Sequence, residues 1–223
     1  MTNEINSKLE GTVVTSNKRS NKALAKPEIT KSEEINKMIK ETKNVYVATD
    51  WQLWKMNKTT RKIEKGKRFK LVLKQIQMLK EDDLLLFLGD LVDDEFEDKE
   101  ALAEVLKMIK CKKIMVMGNN DLFDKEYYEE YFDKTVEAFQ YEEILFTHFP
   151  IANLTEGINI HGHLHGGGTY FEYCPRSIVC FTSGKFRKLE DIVDEFNKRW
   201  LFISFFFVCS FSLFNTYFKH ISL

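Results

Sequence analysis

The sequence predicts an α/β or α+β domain. Short apolar runs that fit buried strands alternate with amphipathic stretches that fit helices, and strand-like runs dominate toward the carboxyl end. Several of the strand-like runs also stop at a side chain that is able to bind a metal ion. The chain has 223 residues, of which 43% are hydrophobic, which supports one well-filled domain with tails.

The composition excludes a partner that would be bound by overall charge. The formal net charge of −1 gives no general attraction to nucleic acid or to an anionic membrane surface. The four cysteines include no Cys-x-x-Cys pair, which fits free thiols in a reducing compartment. The first residues lack the apolar core of a secretory signal. We therefore expect a cytoplasmic protein, and the sequence leaves its oligomeric state open.

The chain divides into three predicted parts. Residues 1–43 are polar and contain no aromatic residue, so they bury too little surface to offset their chain entropy; we predict a disordered N-terminal segment, in which residues 1–27 carry no pattern and residues 29–43 carry a weak helical one. Residues 44–199 form the predicted domain. Residues 200–223 form a hydrophobic C-terminal tail.

The predicted strands are short apolar runs bounded by glycine, proline or polar residues. They are residues 45–49, 84–88, 114–117, 144–147, 158–160, 169–174 and 178–182. The last two are separated by Pro175-Arg176 and would form a hairpin. Residues 84–88 are apolar throughout, as is typical of a strand that is covered on both faces.

The predicted helices are stretches in which apolar residues recur at helical spacing. They are residues 29–43, 69–79, 101–109, 127–139 and 189–196. Thr30 or Ser32 would cap the first helix. The acidic residues between 93 and 98 would lie at the N-terminal end of the third helix, where the helix dipole favours them. A helix between the first two strands predicts a right-handed βαβ unit.

Five of the predicted strands end at a side chain that is able to bind a metal. These side chains are Asp50, Asp90, Asn119, His148 and the cluster His161-Gly162-His163-Leu164-His165. For an isolated Gly89-Asp90 pair, a turn cap would be the simpler interpretation. The repetition favours a metal site, because the carboxyl ends of strands in an α/β sheet are where ligands bind.

The same residues carry a resemblance to a known family. The chain contains Asp50-x-Gln52, Gly89-Asp90-x-x-Asp93, Gly118-Asn119-Asn120-Asp121, His148 and Gly162-His163-x-His165. In order and spacing these motifs resemble those of the calcineurin-like metallophosphoesterase superfamily, over about residues 45–196. The resemblance implies a four-layer αββα sandwich of two mixed β-sheets flanked by helices. It also implies two divalent metal ions, with Mn preferred and Fe, Ni or Zn as alternatives.

The resemblance also implies a role for each site residue. Asp90 would bridge the two ions. The first ion would take Asp50, Gln52 and His165, and the second would take Asn119, His148 and His163. The ions would share a hydroxide that attacks the phosphoester in line, so no side-chain nucleophile is required. Asp93 and Asp121 would orient ligands, while His161 would support a loop or strand end.

Two positions depart from the pattern of this family. Gln52 stands where the first motif normally has a histidine, and because an amide oxygen is a poorer ligand for these metals, the first site would be weakened. Asn120 stands where many members carry a histidine that protonates the leaving group. An amide supplies no proton by titration, so we expect phosphodiesters with good leaving groups to be the substrates.

These observations predict a metal-dependent phosphoesterase, more specifically a phosphodiesterase that acts on a small-molecule or nucleotide phosphoester. One alternative is a catalytically impaired metal-binding or scaffold protein of the same fold, because Gln52 weakens the first site. A further alternative is a nuclease, aided by the basic residues between 55 and 70.

The tail is long enough to enter a membrane. Residues 200–218 are uncharged and rich in Phe, Leu, Ile and Val, and Lys198-Arg199 precede them. One interpretation is a tail anchor with the domain on the cytoplasmic side. The alternatives are a segment packed on the domain or on a partner, or a sequence with no selected structure.

Overall fold

The computed structural model describes residues 12–13, 27–54, 67–93, 96–152, 154–164, 176–180 and 184–199. In this part of the chain, two mixed sheets of five strands each are accompanied by helices. The predicted fold class, an α/β sandwich, is confirmed.

The first sheet carries the amino-terminal half of the site. Its strands, in spatial order, are β12 (Arg187–Lys188), β3 (Val45–Ala48), β4 (Leu84–Phe87), β5 (Lys112–Val116) and β6 (Lys134–Val136). Strands β3 to β6 pair in parallel, and β12 pairs antiparallel with β3. All four residues of β4 are fully buried, as their continuous apolar run predicts for a central parallel strand.

The second sheet carries the histidines. Its strands, in spatial order, are β11 (Ser177–Val179), β10 (Ile158–His161), β8 (Ile144–Thr147), β7 (Ala138–Tyr141) and β2 (Ile29–Thr30). Strands β8, β10 and β11 are parallel, while β7 pairs antiparallel with β8. Two short strands, β1 (Thr12–Val13) and β9 (Ile151–Ala152), form a separate antiparallel pair.

With the exception of the fourth, the helices of the described residues lie close to where the sequence predicts them. They are α1 (Glu33–Glu41), α2 (Lys67–Ile76), α3 (Lys99–Lys107), α4 (Lys125–Glu129) and α5 (residues 189–199). Ser32 caps α1 by accepting a hydrogen bond from the N–H of Ile35 at 3.3 Å. Asp98 caps α3 by accepting from the N–H of Ala101 at 2.9 Å. Helices α2 and α3 each connect neighbouring parallel strands, as predicted for βαβ units.

The chain forms two compact units, Met1–Leu189 and Glu190–Leu223. Both sheets and the candidate site belong to the first unit. The described part of the second unit, residues 190–199, is helical.

The predicted helix over residues 127–139 is wrong. Helix α4 ends at Glu129, and the chain continues into β6 and β7, which contain Val136 and Phe139. The aromatic residues recur at helical spacing, but tertiary pairing decides the structure: β6 pairs with β5, and Phe139 stacks on Phe146 at 4.6 Å across β7 and β8.

Several other predictions fall wholly or partly outside the described residues. These are the disorder of residues 1–11 and 14–26, most of the basic run, the strand at 169–174, and the tail from 200 to 223. Within the N-terminal segment, however, three elements have regular structure: Thr12–Val13, Ile29–Thr30 and α1. Strands and helices therefore occur before residue 44. None of the helices in the described part of the chain has the length and apolar character that a bilayer crossing requires.

Candidate metal centre

The site is built where strands of both sheets end. Asp50 and Gln52 follow β3, and Asp90 follows β4. The two segments run side by side, because the N–H of Asp50 donates to the Gly89 carbonyl at 2.9 Å and the N–H of Gln52 donates to the Asp90 carbonyl at 3.0 Å. Backbone hydrogen bonds therefore hold these three side chains at one edge of the first sheet.

Four of the predicted ligands have a backbone conformation that is rare outside glycine. The φ angles of Asp50, Gln52, Asp90 and His163 are 51°, 42°, 61° and 63°. Such conformations cost free energy and persist only where the surrounding packing enforces them. Trp51, which is fully buried and lies 4.7 Å from the ring of Phe87, fixes the backbone between Asp50 and Gln52.

Two glycines pass close to the site carboxylates. A Cβ atom at Gly118 would collide with Asp90 Oδ1 and lie 3.0 Å from Asp121 Oδ2. A Cβ atom at Gly162 would collide with the Thr49 hydroxyl and lie 2.8 Å from Asp50 Oδ2. Only glycine allows this approach, which explains the glycine in both motifs.

Asp90, His148 and His163 form a compact group of ligand atoms. One atom from each residue lies within 4.8 Å of the other two. Asp90 and His148 are each 1% exposed, and His163 is half-buried. Asn119 lies beside them, with its Oδ1 3.1 Å from His148 Nε2. The structure thus brings together the residues predicted for the second metal.

The orientation of His148 tests whether this group suits a cation. Its Nδ1 lies 2.7 Å from the Leu88 carbonyl oxygen, which can only accept, so Nδ1 carries the proton. In the neutral ring the Nε2 lone pair then faces two oxygens, Asn119 Oδ1 at 3.1 Å and Asp90 Oδ1 at 3.4 Å. Asn119 is held in this orientation because its Nδ2 donates to Asn120 Oδ1 at 2.8 Å. The three acceptor atoms, His148 Nε2, Asn119 Oδ1 and Asp90 Oδ1, therefore face one another, and a metal ion between them would bind all three.

The residues predicted for the first metal are arranged differently. Asp50 Oδ2 accepts from the Thr49 hydroxyl at 2.7 Å and from the N–H of His163 at 3.0 Å. Gln52 Oε1 accepts from Arg68 Nη1 at 3.2 Å. His165 lies outside the described residues. An amide oxygen that accepts from a guanidinium is a poor ligand for a cation, because an ion on the same oxygen would lie close to a positive charge.

Burial makes the central carboxylates costly to ionise without a cation. Burial raises the pKa of Asp90 to about 6, although the nearby His148 acts to lower it. Burial also raises the pKa of Asp121, although three backbone N–H groups donate to this carboxylate. Those donors belong to Asp90, Gly118 and Leu91, at 2.9, 2.7 and 2.9 Å. Asp121 therefore fixes the loops that present Asp90 and Asn119.

His161 and Asp93 lie at the margin of the site. His161 is fully buried, its Nδ1 lies 2.7 Å from the Gly162 carbonyl oxygen, and burial lowers its pKa to about 4, so the ring is neutral at pH 7. Asp93 is also buried, and its N–H donates to the Leu53 carbonyl at 3.2 Å.

Sequence reasoning did not assign Thr49 or Arg68 to the site. Thr49 has no signal of its own, since a threonine at a strand end is common. Arg68 does belong to the basic run, but nothing in the sequence singles it out as the partner of Gln52.

A family model described as calcineurin-like phosphoesterase matches residues 43–207. Among solved structures, the chain is similar to a protein of unknown function from Aquifex aeolicus, AQ665. The two are 23% identical with a TM-score of 0.51, over 68% of this chain and 98% of that one. At this identity the likeness supports the fold alone. No curated protein matches the chain.

Proposed function

The chain belongs to the calcineurin-like phosphoesterase family, and on this premise we propose that it is a metal-dependent phosphodiesterase centred on Asp90. The observation that carries the proposal is the convergence of ligand atoms from Asp90, Asn119 and His148, with His163 in the same group. A buried carboxylate beside a buried imidazole and an amide oxygen suits a divalent cation better than a neutral ligand.

Asp90, Asn119, His148 and His163 would hold the principal ion, and the mixed nitrogen and oxygen donors suit Mn, with Fe, Ni or Zn as alternatives. When bound, divalent ions supply Lewis-acid chemistry: they neutralise phosphoryl oxygens and lower the pKa of an attacking water. The Leu88 carbonyl keeps the proton of His148 on Nδ1, so Nε2 stays available as a ligand.

Asn120 supports a preference for diesters over monoesters with poor leaving groups. Its side chain is half-buried and donates from Nδ2 to Asp90 Oδ2 at 2.9 Å. An amide in this position orients the carboxylate but has no titratable proton to give to a leaving group. Substrates with acidic leaving groups need no such proton, so small-molecule or nucleotide phosphodiesters fit the site best.

The test uses the purified full-length chain, Mn and an activated aryl phosphodiester. The wild type should bind Mn and turn over, whereas His148→Ala should lose both. His161→Ala is the matched control, because it empties a second fully buried histidine position outside the ligand group. Turnover retained in His148→Ala, with Mn still bound, would refute the assignment.

A catalytically impaired metal-binding protein of the same fold is the second candidate. The hydrogen bond from Arg68 to Gln52 favours this candidate, because it occupies an oxygen that was predicted to bind the first metal. Metal content and turnover separate the two candidates. Bound Mn without hydrolysis across cyclic nucleotides, nucleic acids and activated diesters would favour the impaired protein.

A further inference from the structure

Gln52 and Arg68 form a pair beside the metal centre. Arg68 Nη1 donates to Gln52 Oε1 at 3.2 Å, and Gln52 is only 8% exposed. The backbone N–H of Gln52 donates to the Asp90 carbonyl at 3.0 Å, and Leu53 bonds to Leu91 in the same way at 2.9 Å. The pair is therefore tied by two successive hydrogen bonds to the segment that carries Asp90.

This pairing disfavours a metal ion on Gln52. The carbonyl oxygen already accepts from a cation, and a divalent ion bound to the same oxygen would lie within a few ångströms of the guanidinium charge. Asp50 Oδ2 in turn accepts two hydrogen bonds, from the Thr49 hydroxyl and from the N–H of His163. Among the described residues, Asp50 also lies outside the compact ligand group of Asp90, His148 and His163.

Packing holds the Arg68 side chain in place. Arg68 lies in the first turn of α2, and its stem passes over Gly184. A Cβ atom at Gly184 would lie 3.3 Å from Arg68 Cγ and 2.9 Å from Val72 Cγ2. The half-buried Arg68 side chain is thus oriented by packing at its stem and by Gln52 at its guanidinium.

We propose that the chain binds one divalent ion, and that Arg68 supplies the positive charge at the position of the first ion. The guanidinium, oriented by Gln52, would bind a phosphoryl oxygen of the substrate, for which its planar array of donors is suited. This inference rests on the proposed function, because it names the group that recognises the phosphoester at that same site. Arg68 is the residue that binds the substrate, and Gln52 is the residue that positions Arg68.

The experiment counts Mn per chain by equilibrium dialysis and measures the affinity for inorganic phosphate by calorimetry in the presence of Mn. The variants are Arg68→Met, Arg68→Lys and the control Lys70→Met, which removes an exposed charge from the same helix. The wild type should bind one Mn per chain, and so should every variant. Arg68→Met should weaken phosphate binding by about ten- to a hundredfold, the range expected for a charged hydrogen bond.

Arg68→Lys keeps the charge and should lie between the wild type and Arg68→Met, which guards against a packing effect in the methionine variant. Lys70→Met should match the wild type. Two Mn ions per wild-type chain, or phosphate affinities that are equal in Arg68→Met and Lys70→Met, would overturn the inference. If the chain binds one Mn and binds phosphate through Arg68 yet hydrolyses no ester, the proposed function fails while this inference stands.

Discussion

Asn120 donates a hydrogen bond to each carboxylate oxygen of Asp90, from its backbone N–H to Oδ1 and from Nδ2 to Oδ2, both at 2.9 Å. The Asn120 side-chain oxygen accepts from Asn119 Nδ2 at 2.8 Å. Asn119 Oδ1 in turn lies 3.1 Å from His148 Nε2, which lies 3.4 Å from Asp90 Oδ1. The four side chains form a closed ring, so Asn120 sets the orientation of ligands without being one.

Asn120→Ala should therefore weaken metal binding although no ligand is removed. The variant keeps the backbone hydrogen bond to Asp90 Oδ1 but loses the one to Oδ2, and it also releases Asn119. Loss of a group that orients ligands typically costs about ten- to a hundredfold in metal affinity. Calorimetric titration with Mn would measure this change.

Asn44→Ala is the control for that variant. Asn44 Nδ2 also donates to a buried carboxylate at 2.9 Å, in this case Asp83 Oδ1, but it is not part of the ring. Its Mn affinity should equal that of the wild type. An equal affinity in Asn120→Ala would mean that the ring does not orient the ligands.

The second prediction concerns the leaving group. Because Asn120 has no titratable proton, the rate should depend steeply on how acidic the leaving alcohol is. An alkyl diester needs a general acid to protonate its leaving group, whereas an aryl diester does not. Hydrolysis of the alkyl diester should therefore be slower by about 10²- to 10⁴-fold, in addition to the effect of its lower intrinsic reactivity. A series of aryl and alkyl phosphodiesters with graded leaving-group pKa values would measure the slope. A flat series would show that another group donates the proton.

Much of the fold and the ligand placement follows from local patterns. The apolar run of β4 is continuous in sequence, so burial on both faces can be predicted without knowing its neighbours. That Asp90 and Asn119 come together follows equally simply, because parallel strands place their carboxyl ends at the same edge of a sheet.

Other features depend on tertiary contacts and have no local signal. Asp and His adopt the left-handed backbone more readily than most residues, but nothing in the sequence marks Asp90 and His163 for it, and packing decides. Arg68 meets Gln52 across 16 positions, and only the placement of α2 against the end of β3 decides which basic residue does so. The aromatic stripe beyond Tyr127 fits a helix until β5 and β8 provide strand partners.

The third prediction concerns Asp121, whose carboxylate accepts from three backbone N–H groups. Asp121→Asn turns one of these oxygens into a donor, so at least one buried N–H loses its partner. An unsatisfied buried donor costs about 1–3 kcal/mol, and the free energy of unfolding measured in urea should fall by that amount. Mn affinity should fall as well, because the loops that hold Asp90 and Gly118 lose their common acceptor.

Asp133→Asn is the matched control for Asp121→Asn. Asp133 also accepts from a backbone N–H, that of Lys113 at 2.8 Å, but it is exposed and belongs to no ligand loop. Its loss should leave Mn affinity unchanged. Equal effects of the two substitutions on Mn affinity would contradict the role assigned to Asp121.

The fourth prediction concerns the pH dependence of stability in the metal-free protein. The pKa of Asp90 rises from 3.8 to about 6 on folding, so the folded state holds its proton more tightly than the unfolded state does. Stability from the neutral carboxyl is fully present below pH 3.8 and is lost as the pH rises through about 6. The difference of roughly two pKa units corresponds to about 3 kcal/mol.

His161 acts in the opposite direction over nearly the same range. Its pKa falls from 6.5 to about 4 on folding, so its contribution is present above pH 6.5 and is lost as the pH falls through about 4. The effects of Asp90 and His161 on stability are opposite in sign and similar in size. The free energy of unfolding of the wild type would therefore change little with pH through these two groups. Asp90→Asn removes one of them, so the free energy of unfolding of this variant, relative to that of the wild type, should rise by about 3 kcal/mol between about pH 3 and pH 7. Urea unfolding with a chelator present would measure it, and His161→Gln should show the reverse slope. Parallel curves for wild type and Asp90→Asn would mean that folding does not raise the pKa of Asp90, and a buried carboxylate that ionises so readily would not need a cation to hold its charge.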